Sequence, residues 1–258
     1  MEKITIRKIQ NSKVLPAGRH GKKQKLVMLT AYSYPIASIL DEAGVDMVLV
    51  GDSLGNVALG YKNTLPVTME EMIVHTRAVA RAVRRALLVV DMPFGSFQQG
   101  EEKALADAIK LVKAGAEAVK LEGASYLSVI KKIIKAGIPV IGHLGFTPQS
   151  VNLLGYSVQG KDKKSAEKIL REAKALERAG CFALVLEMIP EQLAAKVAQK
   201  IKIPVIGIGA GDKVDGQVLV TDDLLGLYKN PPNFVQPRLN LRKTISQALR
   251  SYIGEIKE

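Results

Sequence analysis

The sequence predicts an α/β protein, a single-domain (β/α)8 barrel of the TIM type, from three observations. Eight short runs rich in apolar and β-branched residues alternate with longer amphipathic segments along 258 residues. Most runs are continuously apolar, as parallel strands are when both of their faces are buried. Three amphipathic segments end in Ala-Gly, and the next strand follows within a few residues, as in α/β units. A doubly wound parallel sheet is the alternative, and in both folds ligands bind beyond the carboxyl ends of the strands.

The elements follow in order along the chain. The predicted strands are residues 25–30, 46–51, 86–92, 117–122, 138–145, 181–188, 203–209 and 217–221, the last being the weakest. The predicted helices are LPVTMEEMIVHTRAVARAV, KALADAIKLVKAG, SYLSVIKKIIKAG, AEKILREAKALERAG and EQLAAKVAQKI. In the first helix, Thr68 and Glu71 form the T-x-x-E capping box that marks a helix start. Gly115, Gly137 and Gly180 are the expected C-cap glycines of three others.

The chain shows no internal boundary, so one barrel domain is predicted over residues 1–258. No linker, repeat or change in composition divides it. An N-terminal extension is expected at about residues 1–24 and a C-terminal helix at about 240–256. The apolar stripe of this helix is Leu241, Ile245, Leu249, Tyr252, Ile253 and Ile256. The stripe either packs on the barrel or forms a subunit contact.

The charge balance is strongly basic, at 37 − 25 = +12. The positive charges are spread over helix faces, with one denser patch at GRHGKKQK, and the chain has no Trp and 5% aromatic residues. This pattern argues against a nucleic-acid partner and favours attraction of anionic small molecules.

The remaining composition predicts a soluble, cytoplasmic protein. The N-terminus is charged and lacks the apolar region of a signal peptide, and no apolar run approaches the ~20 residues that span a membrane. The single cysteine, Cys181, excludes an intrachain disulfide and a cysteine-based zinc site. No nucleophilic role is assigned to it, His75 is interpreted as structural, and His20 has no assigned role.

Polar residues at the carboxyl ends of the predicted strands form the candidate site. They are Asp52, Ser53, Asp91, Lys120, Glu122, His143 and Glu187. Neighbouring strands lie about 5 Å apart, so Asp52 and Asp91 would repel each other unless a cation lies between them. Oxygen ligands without Cys or paired His favour Mg2+ or Mn2+. The alternative is that each aspartate caps a turn.

The other candidates also have structural alternatives. Alternation puts Lys120 and Glu122 on the same side of their strand. If that side faces the barrel interior, Lys120 needs an acidic partner or an anionic ligand, and a structural Lys–Glu pair is the alternative. Glu187 follows an apolar run and is either a general base or an ordinary strand-end carboxylate. His143 is either a substrate contact or a hydrogen-bonded core histidine.

Nine motifs occur in order over nearly the whole chain. They are MLTAY (28–32), VGDSLG (50–55), LPVTMEEM (65–72), DMPFGS (91–96), VKLEG (119–123), GHLGFTPQSVN (142–152), VQGK (158–161), LVLEMIP (184–190) and IPVIGIGAG (203–211). Together they resemble the ketopantoate hydroxymethyltransferase family. The resemblance implies transfer of a hydroxymethyl group from 5,10-methylenetetrahydrofolate to 3-methyl-2-oxobutanoate through a Mg-stabilised enolate. The product would be 2-dehydropantoate, for pantothenate and coenzyme A biosynthesis.

The same resemblance implies the partners and the roles of the site residues. The expected ligands are a 2-oxo acid, the folate and Mg2+ or another divalent cation, in a homo-oligomer that is usually a decamer. Asp52, Asp91 and Glu122 would form the metal site, with Glu122 acting through metal-bound water. Ser53, Asp91, Lys120 and His143 would contact the substrate, and Glu187 would accept its proton.

The chain departs from the family pattern at three places. Ser33 stands where the family often has Asp, residues 154–157 replace a Gly-Gly-aromatic-basic run, and Asp222–Asp223 stand where His-Asp is frequent. These positions bear on the folate-side loops.

Two alternatives to the hydroxymethyltransferase function are considered. The first is another Mg2+-dependent 2-oxo-acid enzyme that needs no folate, such as a lyase or a phosphoenolpyruvate-mutase-like protein. The second is a non-catalytic basic scaffold or nucleic-acid binder.

Overall fold

The centre of the fold is a closed barrel of parallel strands. The computed structural model describes residues 2–13, 24–228 and 231–257, and in these ranges eight strands pair in sequence order. They are β1 Leu26–Thr30, β2 Met47–Val50, β3 Leu87–Asp91, β4 Ala118–Glu122, β5 Val140–Gly145, β6 Ala183–Glu187, β7 Val205–Ile208 and β8 Gly216–Leu219. Each lies within two residues of its predicted position. The (β/α)8 prediction is therefore confirmed and the doubly wound alternative is excluded.

Helices connect the strands. They are α1 Ile6–Asn11, α2 Tyr34–Ala43, α3 Leu54–Val57, α4 Met69–Ala80, α5 Glu101–Ala114, α6 Leu127–Lys135, α7 Val151–Leu154, α8 Lys163–Ala179, α9 Glu191–Lys200, α10 Thr221–Leu224 and α11 Leu241–Lys257. The predicted capping box is present, since Thr68 Oγ1 accepts from Glu71 N at 3.1 Å and the Glu71 carboxylate accepts from Thr68 N at 2.7 Å. The three predicted cap glycines have φ values of 88° to 117°. Helices α1, α2, α3, α7 and α10 were not predicted.

Alternation along the strands sorts the apolar side chains into two clusters. One lies between the strands and the surrounding helices, and the other fills the barrel, with Met28, Met47 and Val89 among its members. Ile4 and Ile9 join the inner cluster, so the segment around α1 covers the amino end of the barrel. The rest of the predicted N-terminal extension, residues 14–23 with His20, lies outside the described residues.

The inner face of the barrel changes from apolar to polar toward the carboxyl ends of the strands. On β4, Ala118, Lys120 and Glu122 share this face, and all three are buried. The register pairs Asp91 with Lys120, Glu122 with His143, and Gly145 with Glu187. Strand geometry alone therefore brings the predicted polar residues toward one another.

Contacts divide the chain into two compact units, Met1–Val218 and Leu219–Glu258. The second unit contains α10 and α11. None of the residues of α11 is buried, and its apolar side chains at Ile245, Leu249, Tyr252, Ile253 and Ile256 are 43–69% exposed. No helix in the described ranges is both long and apolar enough to cross a lipid bilayer.

Asp41, near the end of α2, fixes the chain that leads into β3. Its Oδ1 accepts from the backbone N of Arg85 at 3.0 Å and of Ala86 at 2.7 Å, and its Oδ2 accepts from Arg84 N at 3.0 Å. Burial alone would raise the pKa of Asp41, but these backbone donors outweigh burial and lower the pKa below its ordinary value. The carboxylate thus anchors the strand that carries Asp91.

We expect Asp41→Asn to destabilise the fold by about 1–3 kcal/mol at pH 7, because the amide directs donor hydrogens toward backbone N–H groups. The pKa of Asp41 is lower in the folded state than in the unfolded state, where it is ~3.9. The ionised carboxylate therefore stabilises the fold fully above the unfolded-state pKa, and this stabilisation is lost as the pH falls through the folded-state pKa. Urea unfolding of the wild type and the variant, from pH 7 downward, should show a difference in the free energy of unfolding that disappears at acidic pH.

The control is Glu42→Gln, on the exposed part of the same helix, which should change stability by less than about 0.5 kcal/mol. Equal stability of Asp41→Asn and wild type at pH 7 would contradict the anchoring role.

Candidate active site at the carboxyl end of the barrel

Three buried carboxylates, Asp52, Asp91 and Glu122, lie at the carboxyl ends of the neighbouring strands β2, β3 and β4. Asp91 Oδ1 lies 2.8 Å from Lys120 Nζ, and Asp91 Oδ2 accepts from the backbone N of Asp52 at 3.1 Å. Glu122 Oε2 accepts from the backbone N of Gln149 at 3.0 Å. Glu122 Oε1 finds no hydrogen-bond donor among the described residues. The cluster therefore contains three acids and one lysine.

The partner of Lys120 is Asp91, not Glu122 as in the structural pair considered from the sequence. Lys120 and Glu122 lie two residues apart on one strand, whereas Asp91 is the register neighbour of Lys120 on β3. Burial alone would lower the pKa of Lys120, but Asp91, Glu122 and Asp52 outweigh burial and raise it. Lys120 therefore stays positively charged inside the barrel.

The negative charge of the cluster exceeds what Lys120 neutralises. Burial raises the pKa of Asp52 well above its ordinary value, and the charges of Asp91 and Glu122 raise it further. Burial also raises the pKa of Asp91, with partial opposition from Lys120. The carboxylates of Asp52 and Asp91 are thus less stable as anions here than in water, which is the condition that a bound cation relieves.

The donor set suits a hard divalent cation. No group of three or more His, Cys, Asp and Glu side chains converges as a ready metal cage in the part of the chain that the structure describes. Mg2+ commonly takes only one or two protein carboxylates and keeps water positions for a substrate. The oxygens of Asp52 and Asp91 fit that mode, and Glu122 Oε1 is available to a water molecule.

A second group links the cluster to Glu187, the last residue of β6. His143 Nδ1 lies 3.5 Å from Glu122 Oε1, and His143 Nε2 lies 3.3 Å from Glu187 Oε2. Burial and Lys120 lower the pKa of His143, but the contacts with Glu122 and Glu187 outweigh them and raise it to about 9. The Glu187 side chain is 16% exposed, whereas that of His143 is 2% exposed. His143 Nε2 makes no hydrogen bond among the described residues, so it acts on Glu187 through this ion-pair contact, and the Glu187 carboxylate is one that a ligand can reach.

Gly145 makes the close approach of β5 to Glu187 possible. Its φ is 98°, and a Cβ at this position would lie 2.1 Å from the Glu187 carbonyl oxygen. Glu187 is followed by Met188, whose φ of 45° is in the left-handed region that non-glycine residues rarely adopt. The backbone around Glu187 is therefore strongly constrained.

Ser53 lies beside the cluster, next to Asp52 in the chain. Its Oγ is 2.8 Å from Tyr32 Oη, and His75 Nδ1 lies 2.6 Å from the Tyr32 carbonyl oxygen. His75, interpreted from the sequence as structural, thus supports Tyr32.

Cys181 precedes β6 at the opposite end of the strand from Glu187, and burial raises the pKa of its thiol to about 12.

The structure brings all the predicted residues together, but it also adds Gln149 and Tyr32, which the sequence argument missed. Gln149 Nε2 donates to Asp52 Oδ2 at 2.8 Å and to the Met92 carbonyl oxygen at 2.9 Å. Both added residues lie within motifs of the resemblance, GHLGFTPQSVN and MLTAY. Gln149 does not end a strand, since it lies in a short 3₁₀ helix, Pro148–Ser150, beyond β5.

Comparisons with known proteins match one enzyme family over nearly the whole chain. A family model described as ketopantoate hydroxymethyltransferase matches residues 3–258. A 3-methyl-2-oxobutanoate hydroxymethyltransferase of Thermococcus kodakarensis is 50% identical over 260 residues, which cover 100% of this chain and 89% of the relative.

Solved structures show the same fold at low sequence identity. A 2,3-dimethylmalate lyase, a PEP mutase/isocitrate lyase superfamily member, aligns with a TM-score of 0.62 and 14% identity over 98% of this chain and 85% of the lyase. A phosphonopyruvate hydrolase complex with oxalate and Mg++ aligns with a TM-score of 0.61 and 14% identity, over 91% of this chain and 82% of the hydrolase. This likeness is one of fold alone.

We expect Asp52→Asn to stabilise the metal-free protein, measured by thermal unfolding in EDTA at pH 8. The pKa of Asp52 is higher in the folded state than in the unfolded state. Ionised Asp52 therefore destabilises the fold above the unfolded-state pKa, and this destabilisation disappears as the pH falls toward the unfolded-state pKa. The melting temperature of the variant should be several degrees higher than that of the wild type. For a chain of this size, about 1 kcal/mol in the free energy of unfolding shifts the melting temperature by roughly 2–4 °C. The difference should vanish near pH 4, and a lower melting temperature for the variant at pH 8 would contradict the surplus of charge.

Proposed function

The chain belongs to the ketopantoate hydroxymethyltransferase family, and on that premise we propose that it transfers a hydroxymethyl group to 3-methyl-2-oxobutanoate. The proposed donor is 5,10-methylenetetrahydrofolate, whose methylene carbon forms a bond to C3 of the oxo acid while water supplies the hydroxyl oxygen. C3 loses a proton, and the products are 2-dehydropantoate and tetrahydrofolate. In this proposal the product serves pantothenate and coenzyme A biosynthesis.

Asp52 and Asp91 are the proposed ligands of a divalent cation, with Mg2+ as the first candidate. Support comes from their burial, from the surplus of negative charge and from the oxygen donor set. When bound, the cation would act as a Lewis acid at the substrate ketone, a contribution of several kcal/mol. Glu122, whose Oε1 lacks a hydrogen-bond donor among the described residues, would hold a water molecule beside it.

Lys120 and Ser53 are the proposed anchors of the oxo acid. The raised pKa of Lys120 keeps its ammonium group charged, so it can compensate the carboxylate of the substrate. The Ser53 hydroxyl is held by Tyr32 at 2.8 Å and remains half-buried, which suits a hydrogen bond to the same carboxylate. Together they would orient C3 relative to Glu187.

Glu187 is the proposed general base, and the observation that carries the proposal is its exposure. It is the partly exposed carboxylate beside an otherwise buried network, with 16% of its side chain accessible and with His143 Nε2 at 3.3 Å from its Oε2. In this geometry it can accept the C3 proton while His143 keeps it oriented. A positioned general base typically contributes about 10²–10⁴-fold to the rate.

The runner-up is a Mg2+-dependent lyase or mutase acting on a 2-oxo acid without folate. The same cation site and base would serve that chemistry, and the fold likeness to a 2,3-dimethylmalate lyase motivates it. Dependence of product formation on the folate distinguishes the two.

The exposed apolar stripe of α11 is proposed to form contacts between subunits of a homo-oligomer, with ten subunits as the expected number. Ile245, Leu249 and Ile253 recur every four residues, so they lie on one face of the helix, and each is at least 43% exposed. Exposed apolar stripes of this kind mark contact surfaces between proteins.

The first test of the function is proton exchange at C3 of 3-methyl-2-oxobutanoate in D2O, followed by NMR. We expect exchange with the wild type that requires Mg2+ but not folate. Glu187→Gln should slow it by about 10²–10⁴-fold, because the proton acceptor is lost. Asp91→Asn should also abolish exchange, because one oxygen ligand of the cation is lost.

Glu167→Gln, on the exposed face of α8, is the matched control and should exchange at the wild-type rate. Metal-independent exchange, or wild-type rates in both site variants, would refute the mechanism. Formation of 2-dehydropantoate should require 5,10-methylenetetrahydrofolate, and turnover of the oxo acid without it would favour the lyase.

The second test concerns assembly, measured by light scattering after size-exclusion chromatography. We expect Leu249→Glu to dissociate the oligomer, because a charge enters the apolar stripe. Gln247→Glu, about 200° around the helix from Leu249, adds the same charge outside the stripe and should leave the mass unchanged. An unaltered oligomer in Leu249→Glu, or a monomeric wild type, would refute the role of α11.

A further inference from the structure

We propose that Gln149 is a positioning residue that orients two carboxylates of the site for a divalent cation. This inference rests on the proposed metal site and extends it beyond the residues that would bind the cation directly. Gln149 is 7% exposed and lies in the 3₁₀ helix after β5, whereas Asp52 and Glu122 follow or end β2 and β4. One residue of a separate loop therefore reaches both carboxylates.

The side-chain amide of Gln149 has only one chemically consistent orientation. Its Nε2 faces Asp52 Oδ2 at 2.8 Å and the Met92 carbonyl oxygen at 2.9 Å, and both of these atoms accept hydrogen bonds. Its Oε1 accepts from Gln98 Nε2 at 3.3 Å. A flipped amide would direct an oxygen at two acceptors. Both Nε2 hydrogens are thus engaged, and Asp52 Oδ2 is held in place.

The backbone of the same residue holds Glu122. Gln149 N donates to Glu122 Oε2 at 3.0 Å, whereas the second oxygen, Oε1, makes no hydrogen bond among the described residues and faces His143 Nδ1 at 3.5 Å. Gln149 therefore restrains one oxygen of Asp52 and one oxygen of Glu122 at the same time. A bond from the backbone survives substitution of the side chain, so a variant at this position releases Asp52, along with the Met92 carbonyl oxygen and Gln98, but keeps the bond to Glu122.

A neutral donor suits this position better than a cationic one. Lys120 already supplies a fixed positive charge to Asp91, at 2.8 Å. A second cation beside Asp52 would cancel the charge that attracts the metal, whereas an amide orients the carboxylate and leaves its charge intact. Partners of this kind around metal ligands typically change metal affinity by 10–100-fold when they are removed.

The test is the Mn2+ affinity of the full chain without substrate, measured by EPR titration. Gln149→Met has nearly the same shape but no donor, and we expect it to bind Mn2+ about 10–100-fold more weakly, with an altered spectrum of the bound ion. Gln159→Met is the matched control, because the Gln159 side chain is part-exposed and donates to Ser157 alone among the described residues, while its backbone bond to the Met188 carbonyl oxygen survives the substitution. It should bind Mn2+ like the wild type. Circular dichroism and melting temperature check the fold of each variant.

Gln149→Asn is the second variant, for use if Gln149→Met does not fold. It keeps an amide but is one methylene too short to reach Asp52, so the same loss of affinity is expected. If either folded variant binds Mn2+ with the affinity and the spectrum of the wild type, the positioning role is wrong, even if the melting temperature of the variant is lower. That result would not contradict the metal site itself. Absence of Mn2+ binding by the wild type would overturn the metal site itself and this inference with it.

Discussion

The surplus of buried negative charge at the carboxyl end of the barrel is the constraint on which the rest of the site depends. Asp52, Asp91 and Glu122 are each no more than 5% exposed, and Lys120 is the cation paired with them. Counted at formal charge, the four carboxylates of Asp52, Asp91, Glu122 and Glu187 exceed the two cations, Lys120 and the protonated His143, by two negative charges, the amount that one divalent cation balances. Burying such charges is costly unless they are paired, so the arrangement persists only with donors that hold each carboxylate. Lys120, the Asp52 backbone and Gln149 are those donors.

The barrel supplies the rigidity that this charge requires. The amino half of its interior is packed with apolar side chains, and α1 covers that end, while alternation and register deliver polar side chains to the other end. Constrained backbone is concentrated at Glu187, where Gly145 approaches closely and Met188 has a positive φ. Such strain is retained where the surrounding packing over-determines it, and here it restricts the backbone that carries the Glu187 carboxylate.

The sequence predicted the barrel well because its strands are continuous apolar runs and its helices carry caps, both of which are local signals. The candidate residues were predicted for a similar reason, since carboxyl ends of parallel strands must converge. The specific partners could not be predicted. Lys120 pairs with Asp91 across a register that the sequence does not encode locally, and Gln149 arrives from a 3₁₀ helix whose path depends on the packed loops. Helix α2 was not predicted although Pro35 near its start and Gly44 at its end are local helix signals. The anchoring of β3 by Asp41 could not be predicted, because it exists only through contacts with a loop distant in sequence.

In the proposed site, Asp52 and Asp91 hold a divalent cation to which a 2-oxo acid binds. Crystals grown with Mn2+ and 3-methyl-2-oxobutanoate, with diffraction data collected near the Mn absorption edge, test it most directly. We predict an anomalous peak within coordination distance of both aspartate carboxylates, with the ketone and carboxylate oxygens of the oxo acid on the same ion. A substrate bound at this end of the barrel with no anomalous peak, or a peak away from Asp52 and Asp91, would contradict the account.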